Sequence, residues 1–550
     1  MLPTPRLDAV RGGRKENGGY PRLRNYPLEV LRMATITTTA RTSYGSVRGA
    51  AEDGLVIFRG IPYARPPVGH RRFASPEPLD GWADTRDATT FGPQAMQTAS
   101  PVSSGLTLAA EQSEDCLTLN VWTPALDDAS RPVMVYFHGG AFMFGAGSRP
   151  MYHGATLARR GDVVVVTVNY RLGLFGYLRG IDVCGEALPS TGNEGLRDVI
   201  AALTWVKQEI AAFGGDPANV TVFGASAGSC SIGLMLAMPR AGGLFQKGIM
   251  QSGPAFVNTP EHAARVMGAI LADLGLAPSE AGRLRDLPAA QLLDIQTRVT
   301  PRAGGIAYRP VGDGTEVPAD PEAVIAGGSA AGIPLLVGTN LEEYKFYRRM
   351  DSAVEHLTDE TLLARLADPR TTMEARDNAT VNPAEAVALY RRERSSRSEG
   401  TAAPELWFAI MTDRRFRVPS MRLAELHAAH TSATFAYLFT WRSPGWDGKL
   451  GAGHEVNTPF VFGTLDAPDS QDLVPAGSPV GELPTQMQDA WIAFARTGNP
   501  ETPALAGWQP YTAARRTTML LGPTCGPIKA PFEAERRFWE ARVPAGTTPG

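Results

Sequence analysis

The sequence NVTVFGASAG (residues 219–228) joins an apolar run to a serine that stands between two glycines. The apolar run predicts a β-strand, and the residues after Ser226 predict a helix over 227–236. A strand that turns this tightly into a helix leaves no room for a Cβ on either flank, which explains Gly224 and Gly228. The turn lifts the Ser226 hydroxyl off the sheet as a nucleophile elbow does, and the helix N-terminus directs its N–H groups to the same place.

Similar apolar runs recur along the chain, and each ends at a glycine or a polar turn residue. They lie at 132–137, 163–170, 219–224, 248–253, 334–339 and 434–441. Several are too continuous for a strand with one exposed face, and strands buried on both faces belong to parallel sheets covered by helices. Helical periodicity lies between them, most clearly over 195–215. We therefore predict an α/β fold with a large, mostly parallel central sheet and helices on both faces.

Two mainly helical stretches, at about 258–330 and 350–432, interrupt this alternation. Insertions at these points would lie above the strand ends, where ligands bind in such sheets. Residues 43–540 are predicted to form a single domain that carries both insertions. Residues 1–42 are rich in glycine, proline and charge, so we expect a disordered extension, with Met33 as an alternative start.

The composition argues against several classes of function. Charge is balanced, with 53 Lys and Arg against 56 Asp and Glu, and no basic block predicts nucleic-acid binding. Four cysteines in 550 residues match no zinc-site spacing and do not make a disulfide scaffold, so we expect free thiols. No apolar run predicts a membrane span or a secretory signal. We expect no metal or cofactor and a cytoplasmic location; the oligomeric state stays open, with a monomer favoured.

A glycine-rich stretch, HGGAFMFGAG (138–147), follows the first of the apolar runs. Successive glycines let backbone N–H groups converge on one point, where negative charge would develop on the oxygen of an attacked ester carbonyl. We assign Gly140 and Ala141 as donors of this oxyanion hole, with Gly139 shaping the turn. Ala227, the residue after the serine, is the expected third donor.

A serine hydroxyl needs a base to take its proton. The chain has only eight histidines, which allows selection by elimination. Seven either precede the serine, against the expected order of serine, acid and histidine, or lie in helix-like sequence: His70, His138, His153, His262, His356, His427 and His430. His454 instead follows the last apolar run, in a loop with Gly451 and Gly453, and is the predicted base.

The acid that orients the base is expected between Ser226 and His454, at the end of another strand. Glu342 and Glu343 both follow the apolar run at 334–339, and the physics of these residues does not choose between them. Asp413 is a weaker candidate, because it lies in an inserted helix. The acid would hold the imidazole in one tautomer and stabilise the imidazolium form.

From about residue 43 to 540 the chain resembles the type-B carboxylesterases, which include bacterial p-nitrobenzyl esterases and the cholinesterases. The resemblance implies the α/β-hydrolase fold. Besides the glycine-rich stretch, the motifs that carry it are FRGIPYARPPVGHRRF (58–73), SEDCLTLNVWTP (113–124), VVTVNYRLGLFGY (165–177), GNEGLRD (192–198), FGGDPANVTVFGASAG (213–228), QSG (251–253) and WIAFARTGNP (491–500).

The resemblance also implies roles for single residues. The family places its acid in a G-x-x-x-D-E-G pattern, which aligns the acid with Glu343 and puts Glu342 at the neighbouring aspartate position. Its histidine lies in a G-A-x-H-G pattern, which matches His454. The oxyanion donors of the family fall on the glycine-rich stretch and on the residue after the serine, as assigned above.

Two departures from the family pattern lie beside the predicted triad. Ala225 stands where the family often has a glutamate, which in cholinesterases helps with cationic substrates, so its absence argues against a choline ester. Glu455 stands where glycine usually follows the histidine. If the two side chains approach each other, this carboxylate raises the pKa of His454.

Two further departures concern the acid loop and the cysteines. Tyr344 replaces the usual glycine after the acid, which leaves the conformation of that loop open. Ala95 stands where many family members have a cysteine that pairs with the one in SEDCL. The resemblance therefore implies that Cys116 lacks this partner, which fits a reducing, cytoplasmic setting.

These residues predict a serine carboxylic-ester hydrolase that acts on small-molecule esters through an acyl-enzyme intermediate. Amide or carbamate hydrolysis by the same residues is the alternative within this chemistry. A non-catalytic, neuroligin-like binding protein is the alternative from another class, and the filled triad argues against it. As walls of the substrate pocket we predict Phe142, Ala225, Phe346 and Trp407.

Overall fold

The computed structural model describes residues 37–99, 111–303, 306–368 and 382–542. Within them the strands are β1 (Thr39–Thr42), β2 (Gly45–Arg48), β3 (Ala50–Glu52), β4 (Leu55–Pro62), β5 (Arg86–Asp87), β6 (Thr118–Thr123), β7 (Arg131–Phe137), β8 (Val164–Val168), β9 (Gly215–Ala225), β10 (Lys247–Gln251), β11 (Leu335–Asn340), β12 (Thr434–Phe439), β13 (Thr517–Leu521) and β14 (Gly526–Lys529). Strands β1, β2 and β5 form a small sheet, and the other eleven form the central sheet.

The central sheet has the order β14-β13-β12-β11-β10-β9-β7-β8-β6-β4-β3. The seven strands from β13 to β8 in this order are parallel, whereas β14 at one edge and β6, β4 and β3 at the other pair antiparallel. Every residue of β7, β8, β11 and β12 is buried, as their continuous apolar sequences predicted. The predicted α/β architecture with a mostly parallel sheet is confirmed.

Helices cover both faces of this sheet. They are α1 (Ala155–Gly161), α2 (Gly173–Tyr177), α3 (Ile181–Cys184), α4 (Glu194–Glu209), α5 (Ala227–Leu236), α6 (Pro260–Leu274), α7 (Ala289–Ala303), α8 (Pro321–Ala326), α9 (Asp359–Ala367), α10 (Pro383–Ser396), α11 (Ala403–Thr412), α12 (Val418–Ala428), α13 (Thr458–Phe462), α14 (Leu483–Thr497) and α15 (Glu533–Glu540). Judged on the same residues, every helix lacks the combination of length and apolarity that crossing a lipid bilayer requires.

Strand β7 shows how the two faces are filled. Its alternate side chains at Val133 and Val135 belong to the hydrophobic core that includes residues of α4, α5 and α12. Met134 and Tyr136 point to the opposite face and join the core that includes residues of α1, α13 and α14. A strand that feeds two cores has to be apolar at every position, which is the pattern seen in the sequence.

Both ranges predicted as insertions contain helices in the structure. Helices α6 and α7 contribute Ile270 and Ile295 to a third core, which also contains Phe142 and Ala227. This core therefore reaches the loops at the ends of β7 and β9. Helices α9, α10 and α11 form a fourth core around Trp407, against which Tyr344 packs. The helices of both ranges thus pack against the loops at the carboxyl ends of the parallel strands, where the predicted site residues lie.

Some predicted boundaries are wrong. The ordered domain begins before residue 43, because β1 pairs with β2 and buries Ala40 in the main core. The remainder of the predicted extension, up to residue 36, lies outside the described residues. Strand β9 begins at Gly215, four residues before the predicted start, because it pairs there with Arg131 across an irregularity in the ladder. The four cysteines are free thiols in the structure.

Candidate active site

Ser226 lies in the turn between β9 and α5. Its φ of 53° and ψ of −117° are values that residues with a side chain rarely adopt, so the surrounding structure must hold them. Its N–H donates to the carbonyl of Gln251 at 2.9 Å. A Cβ on Gly228 would lie 1.9 Å from the carbonyl oxygen of Phe137, and one on Gly224 would lie 2.8 Å from the carbonyl carbon of Gly228. Both glycines are therefore required for the turn.

The glycine-rich loop after β7 is held by unusual backbone angles. Gly140, Ala141 and Phe142 have φ values of 114°, 54° and 61°, and the N–H of Phe144 closes the loop by donating to the carbonyl of Gly140. In the part of the chain that the structure describes, the N–H groups of Gly140, Ala141 and Ala227 have no protein acceptor. These free donors belong to residues that line the cavities around Ser226, so they are available to an oxygen bound there.

Glu343 and His454 form a buried hydrogen-bonded pair. Nδ1–H of His454 donates to Oε2 of Glu343 at 2.7 Å, and the N–H of His454 donates to the carbonyl of Glu343 at 3.1 Å. The other carboxylate oxygen accepts the N–H of Asn340 at 2.6 Å, and the Asn340 amide donates to the carbonyl of Gly453 at 2.6 Å. Sequence reasoning missed Asn340. Its position as a polar residue at the end of a buried strand, just before the acid, was the available signal.

Glu342 is bound elsewhere. Its carboxylate pairs with Lys345 and Arg442, each at 3.0 Å, and accepts the N–H of Ala452 at 3.0 Å. Burial works to raise the pKa of Glu342, but the two cations and this N–H hold it below its usual value. Of the two adjacent glutamates, Glu343 is the one that contacts His454.

Asp413, the third candidate acid, lies in a π-helical turn, Asp413–Arg417, between α11 and α12. Its carboxylate accepts the Tyr390 hydroxyl at 2.5 Å and pairs with Arg417. Burial raises its pKa, although Arg417 and Tyr390 oppose that shift. The Asp413 carboxylate is therefore bound by Tyr390 and Arg417 and not by His454.

Aromatic rings surround the imidazole of His454. The ring of Phe416 lies 4.8 Å from it and that of Tyr347 lies 5.8 Å from it, measured between centroids. Burial works against the charged imidazolium, but the hydrogen bond and charge of Glu343 and the charge of Glu455 raise the pKa of His454 above its usual value. Among the described residues, Nε2 of His454 has no hydrogen-bond partner, so it can receive a proton.

Two cavities meet at Ser226. The larger has a volume of about 410 Å³ and is mostly apolar; its lining includes Phe142, Met143, Ala227, Phe256, Trp407 and Phe416. The smaller, of about 120 Å³, is lined by Gly139, Gly140, Phe346 and His454 and by several charged side chains. Three of the four predicted wall residues therefore face a cavity. Ala225 was predicted wrongly, because it is the last residue of β9, is 2% exposed and lines neither cavity.

Comparison with known proteins agrees with this architecture. The model of the carboxylesterase family matches residues 36–539. The chain belongs to the carboxylesterase family. Para-nitrobenzyl esterase of Bacillus subtilis (strain 168) is 40% identical over 496 residues, which cover 87% of this chain and 94% of that protein. Phenmedipham hydrolase of Pseudarthrobacter oxydans is 33% identical over 500 residues, or 88% and 94% of the two chains.

Solved structures of the family have the same fold. Carboxylesterase EST55 of Geobacillus stearothermophilus is 38% identical and superimposes with a TM-score of 0.81, over 92% of this chain and 100% of that one. The predicted α/β-hydrolase fold and the resemblance to type-B carboxylesterases are thereby confirmed. The family and its named relatives also support carboxylesterase activity.

The structure explains two departures from the family pattern. Glu455 has a φ of 67°, a left-handed value that glycine adopts without strain, which accounts for the usual glycine at this position. Tyr344, which also replaces a glycine, donates its N–H to the Thr412 hydroxyl at 3.0 Å and packs its ring against Trp407 and Tyr347. Its side chain is therefore accommodated without breaking the contact between the acid and the histidine.

Proposed function

We propose that this protein is a serine carboxylesterase that cleaves small-molecule carboxylic esters through an acyl-enzyme intermediate. Ser226 is the nucleophile, His454 the base and Glu343 the acid that orients it. The observation that carries the proposal is the 2.7 Å hydrogen bond between Glu343 and His454, formed beside a cavity that Ser226 and His454 both line. The free Nε2 of His454 is then the atom that takes the serine proton.

In the first half of the reaction, the Ser226 oxygen attacks the ester carbonyl while its proton passes to Nε2 of His454. Glu343 keeps the other ring nitrogen protonated and stabilises the imidazolium. The carbonyl oxygen becomes negative and is held by the N–H groups of Gly140, Ala141 and Ala227. Each donor of this kind contributes about 3–4 kcal/mol to lowering the barrier.

In the second half, the imidazolium gives its proton to the alcohol oxygen as the bond between carbonyl carbon and alcohol breaks. The same imidazole then takes a proton from water as the water oxygen attacks the acyl carbon, and it gives that proton to the Ser226 oxygen as the carboxylic acid product leaves. The alcohol must leave on the side of the imidazole that protonates it. His454 lines the smaller cavity and not the larger one, so the alcohol part belongs in the smaller cavity.

The acyl part then lies in the larger, mostly apolar cavity. Because that cavity is more than three times the volume of the other, we expect a preference for extended apolar acyl chains on small alcohols. A p-nitrophenyl ester series with acyl chains of two to eight carbons tests this preference. A rate that falls steadily as the acyl chain lengthens would contradict the placement of the acyl part in the larger cavity.

The proposal is tested with p-nitrophenyl acetate and the corresponding anilide, p-nitroacetanilide. We expect rapid ester hydrolysis and far slower anilide hydrolysis by the unmodified protein. Ser226→Ala should lower kcat by at least about 10⁴-fold. Ser279→Ala, which alters an exposed serine, is the matched control and should keep full activity. Full activity in Ser226→Ala contradicts the proposal, and faster hydrolysis of the anilide favours amide hydrolysis instead.

A further inference from the structure

The smaller cavity contains a group of charged side chains that ester cleavage itself does not use. This Glu455 cluster consists of Arg149, Tyr152, Glu455 and Asp469. Nε of Arg149 pairs with Oδ2 of Asp469 at 3.1 Å, and Nη1 donates to the Tyr152 hydroxyl at 3.4 Å. The Tyr152 hydroxyl in turn donates to Oε2 of Glu455 at 3.4 Å. The cluster therefore contains one guanidinium group and two carboxylate groups, which leaves an excess of negative charge.

The other carboxylate oxygens of the cluster have no partner. Within the described residues, Oε1 of Glu455 accepts no hydrogen bond, although the residue is only 9% exposed. Oδ1 of Asp469, in a residue that is 3% exposed, is fully buried and also has no partner among those residues, whereas Oε1 of Glu455 is not fully buried. Leaving a buried carboxylate oxygen unpaired, as in Asp469, is unfavourable. In the part of the chain that the structure describes, Oε1 of Glu455 is unpaired in a residue that lines the smaller cavity, so it can accept a hydrogen bond from a ligand there.

The two nearby arginines, Arg349 and Arg149, do not donate to Oε1 of Glu455, because each is paired with an aspartate. Asp472, which lines the same cavity, is already paired with Arg349 through two hydrogen bonds of 2.6 and 2.9 Å, and it also accepts the indole N–H of Trp446. Arg149 pairs with Asp469 and forms no ion pair with Glu455 among the described residues. The excess negative charge of the cavity therefore stays at the Glu455 cluster.

Glu455 lies directly beside the reacting centre. A methyl group placed on Gly139 would be 2.3 Å from Oε1 of Glu455 and 3.1 Å from Cβ of Ser226. The free carboxylate oxygen and the serine side chain therefore lie close to each other, and both residues line the smaller cavity. In the arrangement proposed above, the smaller cavity holds the alcohol part, so the alcohol lies within reach of Glu455.

We infer that Glu455 determines specificity for the alcohol part of the substrate by accepting a hydrogen bond from a protonated amine that the alcohol carries. This inference rests on the proposed function, because it uses the assignment of the alcohol to the smaller cavity. A protonated amine supplies both the missing donor and the positive charge that the cluster lacks, and charge-assisted hydrogen bonds of this type are among the strong ones. The substrate class that this inference predicts is the carboxylic ester of an amino alcohol.

The test uses two butyrate esters of matched shape. The alcohol of one is 2-(dimethylamino)ethanol, which is protonated and carries an N–H donor, and that of the other is 3-methylbutanol, its neutral isostere. We expect kcat/KM for the amino ester to exceed that for the neutral ester by about tenfold or more. The choline ester, which has the charge but no N–H, is expected to fall between the two.

Two variants connect the preference to Glu455. Glu455→Gln removes the charge, and Glu455→Gly removes the side chain at a backbone angle that glycine accepts; each should lower the amino-to-neutral ratio by about tenfold. Glu360→Gln, at an exposed position of α9, is the matched control and should keep the ratio.

The outcomes separate this inference from the proposed function. If the unmodified protein cleaves both esters at equal rates, or if both Glu455 variants keep the preference, the inference is overturned while ester hydrolysis stands. If neither ester nor p-nitrophenyl acetate is cleaved, the proposed function fails as well. A reduced ratio in both variants, with the control unchanged, supports the inference.

Discussion

The carboxylate of Glu343 is hydrogen-bonded to the imidazole of His454 at 2.7 Å, across 111 residues of sequence. The contact follows from the register of β11 and β12. These strands are parallel, with Asn340 paired to Phe439, so their carboxyl ends meet at one edge of the sheet. The acid follows one strand and the histidine loop follows the other. The pairing of β11 with β12 therefore brings the loop that carries Glu343 next to the loop that carries His454.

The adjacent glutamates offer a matched test of the acid. Glu343→Gln keeps the shape of the side chain but loses the charge that holds the His454 tautomer, so kcat for p-nitrophenyl acetate should fall by about 10⁴-fold. Glu342→Gln weakens the pairs with Lys345 and Arg442 and should change kcat by less than about tenfold. Steady-state kinetics of the two variants decide between them. A larger loss in Glu342→Gln would show that the acid is assigned to the wrong residue.

The acid limb of the pH–rate profile should depend on Glu455. Burial opposes protonation of His454, but Glu343 and Glu455 together raise its pKa above the usual value. Because the imidazole must be neutral to take the serine proton, kcat/KM falls as the pH drops through this pKa. Glu455→Gln removes one of the two raising charges, so the acid limb should move to lower pH. Profiles measured with p-nitrophenyl acetate check this, and a limb that stays fixed or moves upward contradicts it.

The closeness of Gly139 and Glu455 predicts an interaction between two substitutions. The methyl group of Gly139→Ala would lie 2.3 Å from Oε1 of Glu455 and 3.1 Å from the carbonyl oxygen of Ala225, so either the Glu455 side chain or the loop that carries the donor Gly140 must shift. We expect kcat to fall by about 10²–10³-fold. In a Glu455→Gly background the same substitution should cost about tenfold less, because the closest contact is gone. A double-mutant cycle measures this coupling, and strictly additive effects would speak against it.

Much of the fold could be predicted because parallel strands leave a clear sequence pattern. The run VVVVTVNY is apolar at successive positions, and β8 is buried on both faces. Boundaries were harder, because pairing with neighbours extends a strand beyond its apolar residues. Strand β9 begins at Gly215 because Gly215 pairs with Arg131 of β7. Strand β1 forms because Ala40 is buried in the main core by residues distant in sequence.

The candidate site could be predicted only in part. Glycines at an elbow and in the loop after β7 leave a local signature, because the backbone itself requires them. The choice between Glu342 and Glu343 depends on Lys345 and Arg442, and on which carboxylate faces His454, so local sequence physics did not settle it. Pocket walls depend in the same way on how inserted helices pack.

The most direct test of the central claim is covalent labelling by a fluorophosphonate probe, followed by peptide mass spectrometry. We predict one stoichiometric adduct on Ser226, slower labelling in His454→Gln, and no adduct in Ser226→Ala. No labelling of the folded protein, or labelling that persists at another residue in Ser226→Ala, would contradict the assignment of Ser226 as the nucleophile.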